Sequence, residues 1–256
     1  AAGIASLFGS KLVIKGEPGA EYITPLVFMI VLGTVLLNAT TARLFARWVG
    51  VFLKHSEGIL IIGASDASRL IGKYLKDNNR HVVLIDNNET NIEKCEKMGL
   101  EGMVANIYSD TLGDNIELND VGYLMALTGN SEINKYAINK FQKQFGENGS
   151  FRLVDSDEMN DPANNPEEGL FSHTDDFIKL TEAARKFPAI HEQNIKDQEH
   201  YERLIEATNT DDEIIPLFLK EPEGELTIMA ANSKKFKDIT NGSKLVYLGK
   251  MLAAEA

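Results

Sequence analysis

Hydrophobic residues follow three different patterns along the chain, and the first pattern is a long uncharged run. Residues 22–42 carry no charged side chain, and at ~1.5 Å per residue they would form a helix about 31 Å long, the thickness of a bilayer's hydrocarbon core. Arg43 and Arg47 follow this run, and basic residues beside a span mark its cytoplasmic end. The pattern predicts a last transmembrane helix at about 22–42. The alternative is a buried helix of a soluble protein, although such helices seldom stay uncharged on every face.

The residues that precede the uncharged run, 1–14, are apolar but too short to span a bilayer. They predict the tail of an earlier helix, so we interpret 1–55 as the end of a membrane domain and a linker. The sequence as a whole is then interpreted as the carboxy-terminal piece of a longer polytopic protein, with its later residues in the cytoplasm.

From Gly58 the pattern changes to short apolar strands that alternate with amphipathic helices. A continuously apolar stretch, typical of a strand buried on both faces of a parallel sheet, lies at 58–64, and further strands are predicted at 81–88, which ends in Asp86 and two asparagines, and at 102–107, 121–129 and 151–156. Helical periodicity lies between them at 68–79, 90–99 and 130–146, with Thr90 or Asn91 and Asn130 or Ser131 as candidate caps. This alternation predicts an α/β fold for 56–157, a Rossmann-like doubly wound parallel sheet.

The third pattern, in residues 158–256, predicts a small α+β tail with a structural role. It begins with a polar loop rich in Pro and Asn, continues with helices at 175–187 and 194–208, and ends with a β-hairpin at 213–232 and a strand at 242–250. The stretch 191–200 is interpreted as polar surface, because its two histidines are too far apart to stack as metal ligands on one helix. No metal site is predicted.

Composition narrows the classes of function. The net charge of −12 argues against a nucleic-acid partner, because phosphate backbones are held by clustered Lys and Arg. The single cysteine, Cys95, excludes an intrachain disulfide and fits a reducing compartment.

The turn after the first predicted strand, GASDAS, is a candidate phosphate-binding loop. Gly63 stands where the first glycine of G-x-G-x-x-G belongs, but Ser65 and Ser68 replace the other two. A helix that begins here would present free N–H groups and a positive dipole end to a phosphate, although Asp66 would oppose an anion. Asp86 closes the second strand, where a carboxylate can accept hydrogen bonds from both ribose hydroxyls. Together they predict a site for NAD(H) or for an adenosine nucleotide, AMP, ADP or ATP.

Two segments resemble known families. TPLVFMIVLGTVLLNATTARLFARWVGV is similar to the last transmembrane helix of bacterial sodium/proton antiporters of the cation:proton antiporter superfamily. GILIIGASDASRLIGKYL, HVVLIDNN, ANIYSDTL and YLMALTGNSEINKYA resemble the Trk-N, or regulator-of-conductance, nucleotide-binding domain of potassium uptake and channel proteins. The resemblance implies ligand contacts at Gly63, Ala64, Ser65, Ala67, Ser68, Asp86, Asn87, Asn106, Ile107, Thr128 and Gly129. Ala105 and Asn106 depart from the Gly-Asp that the family usually has after its third strand.

The resemblance implies a regulatory rather than an enzymatic role. The expected function is a cytoplasmic nucleotide-sensing domain of a sodium (cation)/proton antiporter in the cell inner membrane, where ligand binding biases transport. The expected partners are a second copy of the chain, bound through the nucleotide-binding domain, the antiporter membrane domain, the lipid bilayer and the nucleotide. The main alternative is a Rossmann-like scaffold that dimerises the antiporter and binds nothing.

An NAD-dependent oxidoreductase is a weaker alternative. Tyr136 and Lys140 have the Tyr-x-x-x-Lys spacing of short-chain dehydrogenases, which places both side chains on one helical face. The glycine-rich turn and the upstream serine of that family are missing, so the pair is interpreted as a solvated helix face. No catalytic residue is predicted.

Overall fold

A computed structural model describes residues 2–49, 56–109, 112, 118–155, 158, 169–171, 177–230 and 239–252. The chain divides into two compact units, Ala1–Lys54 and His55–Ala256. The linker residues 50–55 and most of the predicted polar loop after residue 157 lie outside the described residues.

The first unit consists of apolar helices. Helix α1 (Ala2–Ile14) and a short 3₁₀ turn (Ala20–Tyr22) precede helix α2 (Ile23–Val49). The span Ala20–Ala42 has a mean hydropathy of 2.0 and is long enough to cross a membrane. Ala20 at its start is buried, whereas large side chains further along it, such as Phe28, Met29 and Ile30, are exposed. The hydroxyls of Thr34, Thr40 and Thr41 donate to carbonyls one turn earlier, so these polar groups are satisfied within the helix. The prediction of a long apolar helix is confirmed.

The second unit contains the predicted five-stranded parallel sheet. Its strands are β1 (Gly58–Ile62), β2 (Val82–Asp86), β3 (Glu101–Val104), β4 (Val121–Ala126) and β5 (Gly149–Arg152). They are ordered β3-β2-β1-β4-β5, and every neighbouring pair is parallel. The order reverses between β1 and β4, and ligands of such sheets bind at the carboxyl ends of the strands beside this reversal.

Helices cover both faces of this sheet, because successive strand residues point to opposite sides. The helices are α3 (Asp66–Asp77), α4 (Glu89–Lys97) and α5 (Ser131–Phe145). Ile59 and Ile61 pack in one core with side chains of α3 and α4, while Leu60 and Ile62 pack in another with side chains of α5. The predicted Rossmann-like, doubly wound fold is confirmed.

One of the two predicted helix caps is wrong. Helix α4 is capped by Asn88, whose Oδ1 accepts from the Thr90 N–H at 3.0 Å. The helix therefore starts earlier than Thr90 or Asn91 would allow. For α5 the structure selects Asn130, whose Oδ1 accepts from the N–H groups of Glu132 and Ile133.

The tail is an antiparallel sheet packed against the Rossmann-like layer. Its elements are α6 (Phe177–Lys186), β6 (Ile190–Asn194), α7 (Gln198–Thr210), β7 (Ile214–Lys220), β8 (Leu226–Ile228) and β9 (Lys244–Gly249), with strand order β6-β9-β7-β8. The interpretation of 191–200 as polar surface is wrong for Ile195 and His200, which are buried, and the first residues of the stretch pair with β9 as an edge strand. The predicted hairpin of β7 and β8 is confirmed.

Tail residues share a core with the parallel sheet. Leu180 and Phe218 belong to the same buried cluster as Ile61 and Ile71. At the rim, the Glu192 carboxylate accepts from Tyr74 on α3 at 2.8 Å and also pairs with two tail lysines. Burial acts to raise the pKa of Glu192, but these hydrogen bonds outweigh it and lower the pKa to about 2. The tail therefore holds a fixed position on the parallel-sheet layer.

Three ionisable residues meet at the opposite, amino-terminal edge of the parallel sheet. His81 lies between Asp120 and Glu101, with Nδ1 2.7 Å from one carboxylate and Nε2 3.0 Å from the other. Partial burial of the ring acts to lower the pKa of His81, but the two carboxylates outweigh it and raise the pKa. This cluster ties together the starts of β2, β3 and β4.

Candidate functional site

The candidate site begins at Gly63, directly after β1. Its φ of 96° lies in the left-handed region, where side chains are strained. A methyl group at this position would also lie 3.0 Å from Cγ2 of Thr128 and 3.1 Å from the carbonyl oxygen of Leu127. The turn thus passes directly against the end of β4, and only glycine fits there.

Ser65 caps the helix that follows the turn. Its Oγ accepts from the Ser68 N–H at 3.1 Å and lies 2.9 Å from the Ser68 hydroxyl. The N–H groups at the start of α3 have no acceptor within the helix, and the serine satisfies one of them. The first turn of α3 therefore presents a positive dipole end at the carboxyl edge of the sheet.

The structure corrects the placement of two predicted contacts, Ala67 and Ser68. Both residues are completely buried beneath the turn, and neither lines the cleft beside it. Ser68 fills the position of the third fingerprint glycine, where α3 packs closely on the sheet. Its polar atoms bond with Ser65, which is why a serine is accommodated there.

Arg69 holds the turn from below. Its guanidinium donates to the Ala64 carbonyl and pairs with the Asp66 carboxylate. The Arg69 side chain is only 6% exposed. The expected repulsion between Asp66 and an anion is therefore countered by a positive charge held beside it.

Asp86 lies across the turn and is already extensively hydrogen-bonded. Its Oδ2 accepts from the Ala64 N–H at 2.9 Å and from the Asn91 side chain at 3.2 Å, and its Oδ1 accepts from the Asn88 N–H at 2.9 Å. A carboxylate offers about four acceptor sites, so one remains on Oδ1. Sequence reasoning expects two ribose hydroxyls here, but the second could bind only by displacing the Asn91 amide.

These groups border a single cleft of about 480 Å³, within the range of small-molecule sites. Nine of the eleven predicted contact residues line it: Gly63, Ala64, Ser65, Asp86, Asn87, Asn106, Ile107, Thr128 and Gly129. Sequence reasoning did not place five further lining residues in the site: Ile62, Ile85, Asn91, Ile133 and Phe177. The helical pattern of 175–187 predicts the helix that carries Phe177, but nothing in the neighbouring sequence indicates that the Phe177 ring lines the cleft.

The third-strand turn forms one wall of the cleft. Asn106 Oδ1 accepts from the Tyr108 N–H at 2.9 Å, and Lys140 donates to the Ile107 carbonyl at 2.5 Å. The Tyr108 ring packs on the Tyr136 ring with centroids 4.6 Å apart. Lys140 is exposed and Tyr136 is half-buried, so the pair lies on a partly solvated helix face, but both side chains also contact this turn, and neither lines the cleft.

Asn134 fixes the wall at the end of β4. It is almost fully buried, and its Oδ1 accepts from the Thr128 N–H at 3.1 Å and the Thr128 hydroxyl at 2.7 Å. Its Nδ2 donates to the carbonyls of Thr128 and Leu153. One amide thereby joins the ends of β4 and β5 to α5.

Comparisons with known proteins identify the domain that carries this cleft. Residues 59–159 match the model of the TrkA-N domain family. No curated protein matches the chain.

Several solved structures are similar at low identity. The GsuK channel is 12% identical over 90% of this chain and 45% of its own, with a TM-score of 0.36. N5-carboxyaminoimidazole ribonucleotide synthetase from Thermus thermophilus is 12% identical over 76% and 47%, with a TM-score of 0.30. An imine reductase variant from Myxococcus stipitatus, solved with NAD+, is 19% identical over 37% and 39%, with a TM-score of 0.22.

The chain spans less than half the length of each of these structures, and their TM-scores are too low to assign any of their properties to this chain. The family match and the five-stranded parallel sheet instead cover the same segment of the chain. Residues 59–159 are therefore a TrkA-N domain.

Proposed function

We propose that this chain is the cytoplasmic, nucleotide-sensing regulatory part of a membrane cation transport system. The observation that carries the proposal is the meeting of the Gly63 turn, the start of α3 and the Asp86 carboxylate in one cleft of a TrkA-N domain. A helix amino terminus favours phosphate, and the remaining acceptor on Asp86 favours a ribose hydroxyl.

An adenosine ligand fits the chemistry of the remaining walls. The buried side chains of Ala105 and Ile107 offer an apolar surface for a base, and the Asn87 amide, which also lines the cleft, offers a donor and an acceptor to its polar atoms. The negative charge of Asp86 disfavours a 2′-phosphate. The ligands proposed are thus NAD(H), AMP, ADP or ATP, and the chain acts as a binding module rather than as an enzyme.

The proposed membrane partner follows from the first unit. The span Ala20–Ala42 exposes large apolar side chains such as Phe28, Met29 and Ile30, which are stable in contact with lipid or with other transmembrane helices. We propose that 1–55 ends the membrane domain of a sodium/proton antiporter in the cell inner membrane, with the TrkA-N domain pairing as a homodimer in the cytoplasm. Exchange of Na⁺ for protons in everted vesicles that contain the transporter tests this assignment, and exchange that responds to K⁺ alone would contradict it.

The binding proposal is tested by titrating the detergent-solubilised chain with NAD(H), AMP, ADP and ATP and following its thermal unfolding. A ligand that binds only the folded state stabilises it by about 2.7 kcal/mol at a hundredfold excess over Kd, so saturable shifts support a sensor. The absence of a shift with all four ligands at millimolar concentration would leave a dimerisation scaffold. The existing hydrogen bonds of Asp86 favour that scaffold as the second candidate, because they give its carboxylate a structural role without any ligand.

A further inference from the structure

A second, smaller pocket adjoins the proposed nucleotide cleft and shares the Phe177 side chain with it. Its volume is about 180 Å³, and it is bordered by the ends of β4 and β5 and the start of α6. Thr128, Gly129 and Phe177 line both cavities. In a sheet of this order a dinucleotide spans the crevice at the reversal point, so its second nucleoside would have to reach this pocket.

Phe177 is one of three residues that line both cavities, and its ring packs against the backbone where they adjoin. A methyl group added at Gly129 would lie 2.9 Å from Cε1, 3.0 Å from Cδ1 and 3.3 Å from Cζ of Phe177, so one edge of the ring packs directly on the Gly129 backbone. The ring is half-buried and contacts the main core of the domain. It is therefore held in place by packing rather than projecting freely into solvent.

Polar groups beyond the ring are already bonded to other protein groups. The Asn134 amide uses its acceptor and both donors on Thr128 and Leu153. Ser131 donates to Glu158 at 3.0 Å. A second base placed there would have to displace these bonds. Among the described side chains that line this pocket, Asp155 retains acceptor sites, because only its Oδ1 accepts, from the Glu158 N–H at 2.9 Å.

The turn itself provides an independent observation. The second glycine of the dinucleotide fingerprint lets the backbone approach a pyrophosphate, and here Ser65 places a Cβ and a capping hydroxyl at that position. AMP places no pyrophosphate at this side chain, and the free terminal phosphate of ADP can turn away from it, whereas the pyrophosphate of a dinucleotide carries a nucleoside at each end and has to pass it.

From these contacts we infer that Phe177 and Ser65 restrict the site to adenosine 5′-phosphates and exclude the second nucleoside of a dinucleotide. The inference rests on the proposed function, since it assumes that an adenosine ligand occupies the cleft. It assigns to the tail, through Phe177, a specificity-determining role at the nucleotide site.

The test compares AMP, ADP, ADP-ribose and NAD+ by isothermal titration with the full chain in detergent. We expect AMP and ADP to bind at least about tenfold more tightly than NAD+, with ADP-ribose between them, because each added group extends further towards Phe177. In the Phe177→Ala variant NAD+ should gain about tenfold while AMP stays unchanged. Phe177→Leu keeps an apolar side chain for folding and should give a smaller gain.

Equal affinity of the wild-type chain for AMP and NAD+ would overturn the inference and leave the proposed nucleotide function intact. An unchanged AMP to NAD+ ratio in both Phe177 variants would also overturn it. If no ligand in the series binds the wild-type chain or either variant, the proposed function itself fails and this inference fails with it. The wild-type series needs no variant to fold, so the comparison is decisive even if Phe177→Ala is unstable.

Discussion

Asp86 accepts three hydrogen bonds within the domain and, in the proposed function, also binds the ligand, and Asp86→Ala measures both contributions. The substitution removes the acceptor of three donors, of which the Ala64 N–H belongs to a completely buried residue. An orphaned buried donor costs about 1–3 kcal/mol, and each hydrogen bond to a charged group contributes about 1.5–3 kcal/mol. Water can replace the carboxylate at the two more exposed donors, so we expect a loss of about 2–4 kcal/mol in unfolding free energy.

The loss is measured by thermal unfolding of the ligand-free chain in detergent, followed by far-UV circular dichroism. For a unit of this size 1 kcal/mol corresponds to about 2–4 °C in Tm, which gives an expected decrease of about 4–16 °C. Asp77→Ala is the matched control, because its carboxylate is exposed and, among the described residues, pairs with Lys73 alone, a contact worth about 0–1 kcal/mol. Equal Tm values for the two variants would refute the assignment of a structural role to Asp86.

Asn91→Ala separates the two roles of the same carboxylate. The Asn91 amide makes the longest of the three bonds to Asp86, at 3.2 Å, and its removal returns one acceptor site to Oδ2. The variant should therefore keep the fold and bind AMP at least as tightly as the wild-type chain, while Asp86→Ala should weaken AMP binding. Weaker AMP binding by Asn91→Ala would show that Asn91 contacts the ligand and that the acceptor count at Asp86 does not limit affinity.

Three further predictions address the surroundings of the cleft. Gly63→Ala should lower the free energy of unfolding by about 1–3 kcal/mol in a denaturant titration. The φ angle of Gly63 is positive, and a methyl group there would fit only if neighbouring atoms moved. An unchanged free energy of unfolding would show that the turn relaxes freely. Asn134→Ala should cost about 2–4 kcal/mol in the same titration, because its bonds are buried, whereas the exposed Asn139→Ala on the same helix should cost less than about 0.5 kcal/mol. The pKa of His81 is higher in the folded state than the unfolded-state pKa of 6.5, so its charge contributes fully to stability below pH 6.5, and this contribution is lost as the pH rises through the folded-state pKa. The Tm difference between the wild-type chain and His81→Gln should therefore shrink from about pH 6 to pH 9. A Tm difference that stays constant over this range would contradict this reasoning.

The sequence alone predicts the parallel sheet because its signals are local. Five apolar runs separated by helical periodicity define the strands, and Gly63 and Asp86 lie at their carboxyl ends. Parallel strands bring their carboxyl ends to one edge, so two residues far apart in sequence can be assigned to one site. That geometric rule is the reason that most of the predicted contacts line the cleft.

The remainder of the site depends on side-chain packing that has no local signature. Ala67 and Ser68 have the right spacing for a phosphate loop, but the helix turns them into the core. Phe177 lies in a tail whose pattern predicts only a helix, and its position depends on long-range packing between that tail and α3. The sequence pattern also does not predict the strand at Ile190–Asn194, because a polar edge strand lacks the apolar run that identifies buried strands.

Asp86 explains how a turn with one glycine can still form a binding site. In the full fingerprint, glycines let the backbone approach the ligand, but they leave a flexible loop whose ordering costs free energy on binding. Here Ser65 caps α3, Arg69 holds the Ala64 carbonyl and Asp86 holds the Ala64 N–H, so the turn is fixed before a ligand arrives. The backbone of this turn cannot approach a pyrophosphate closely, but the turn is preorganised around the single acceptor site that remains on Asp86. These two features favour a ligand that makes one ribose contact and ends in a phosphate. This is the same class of ligand that we infer Phe177 to select.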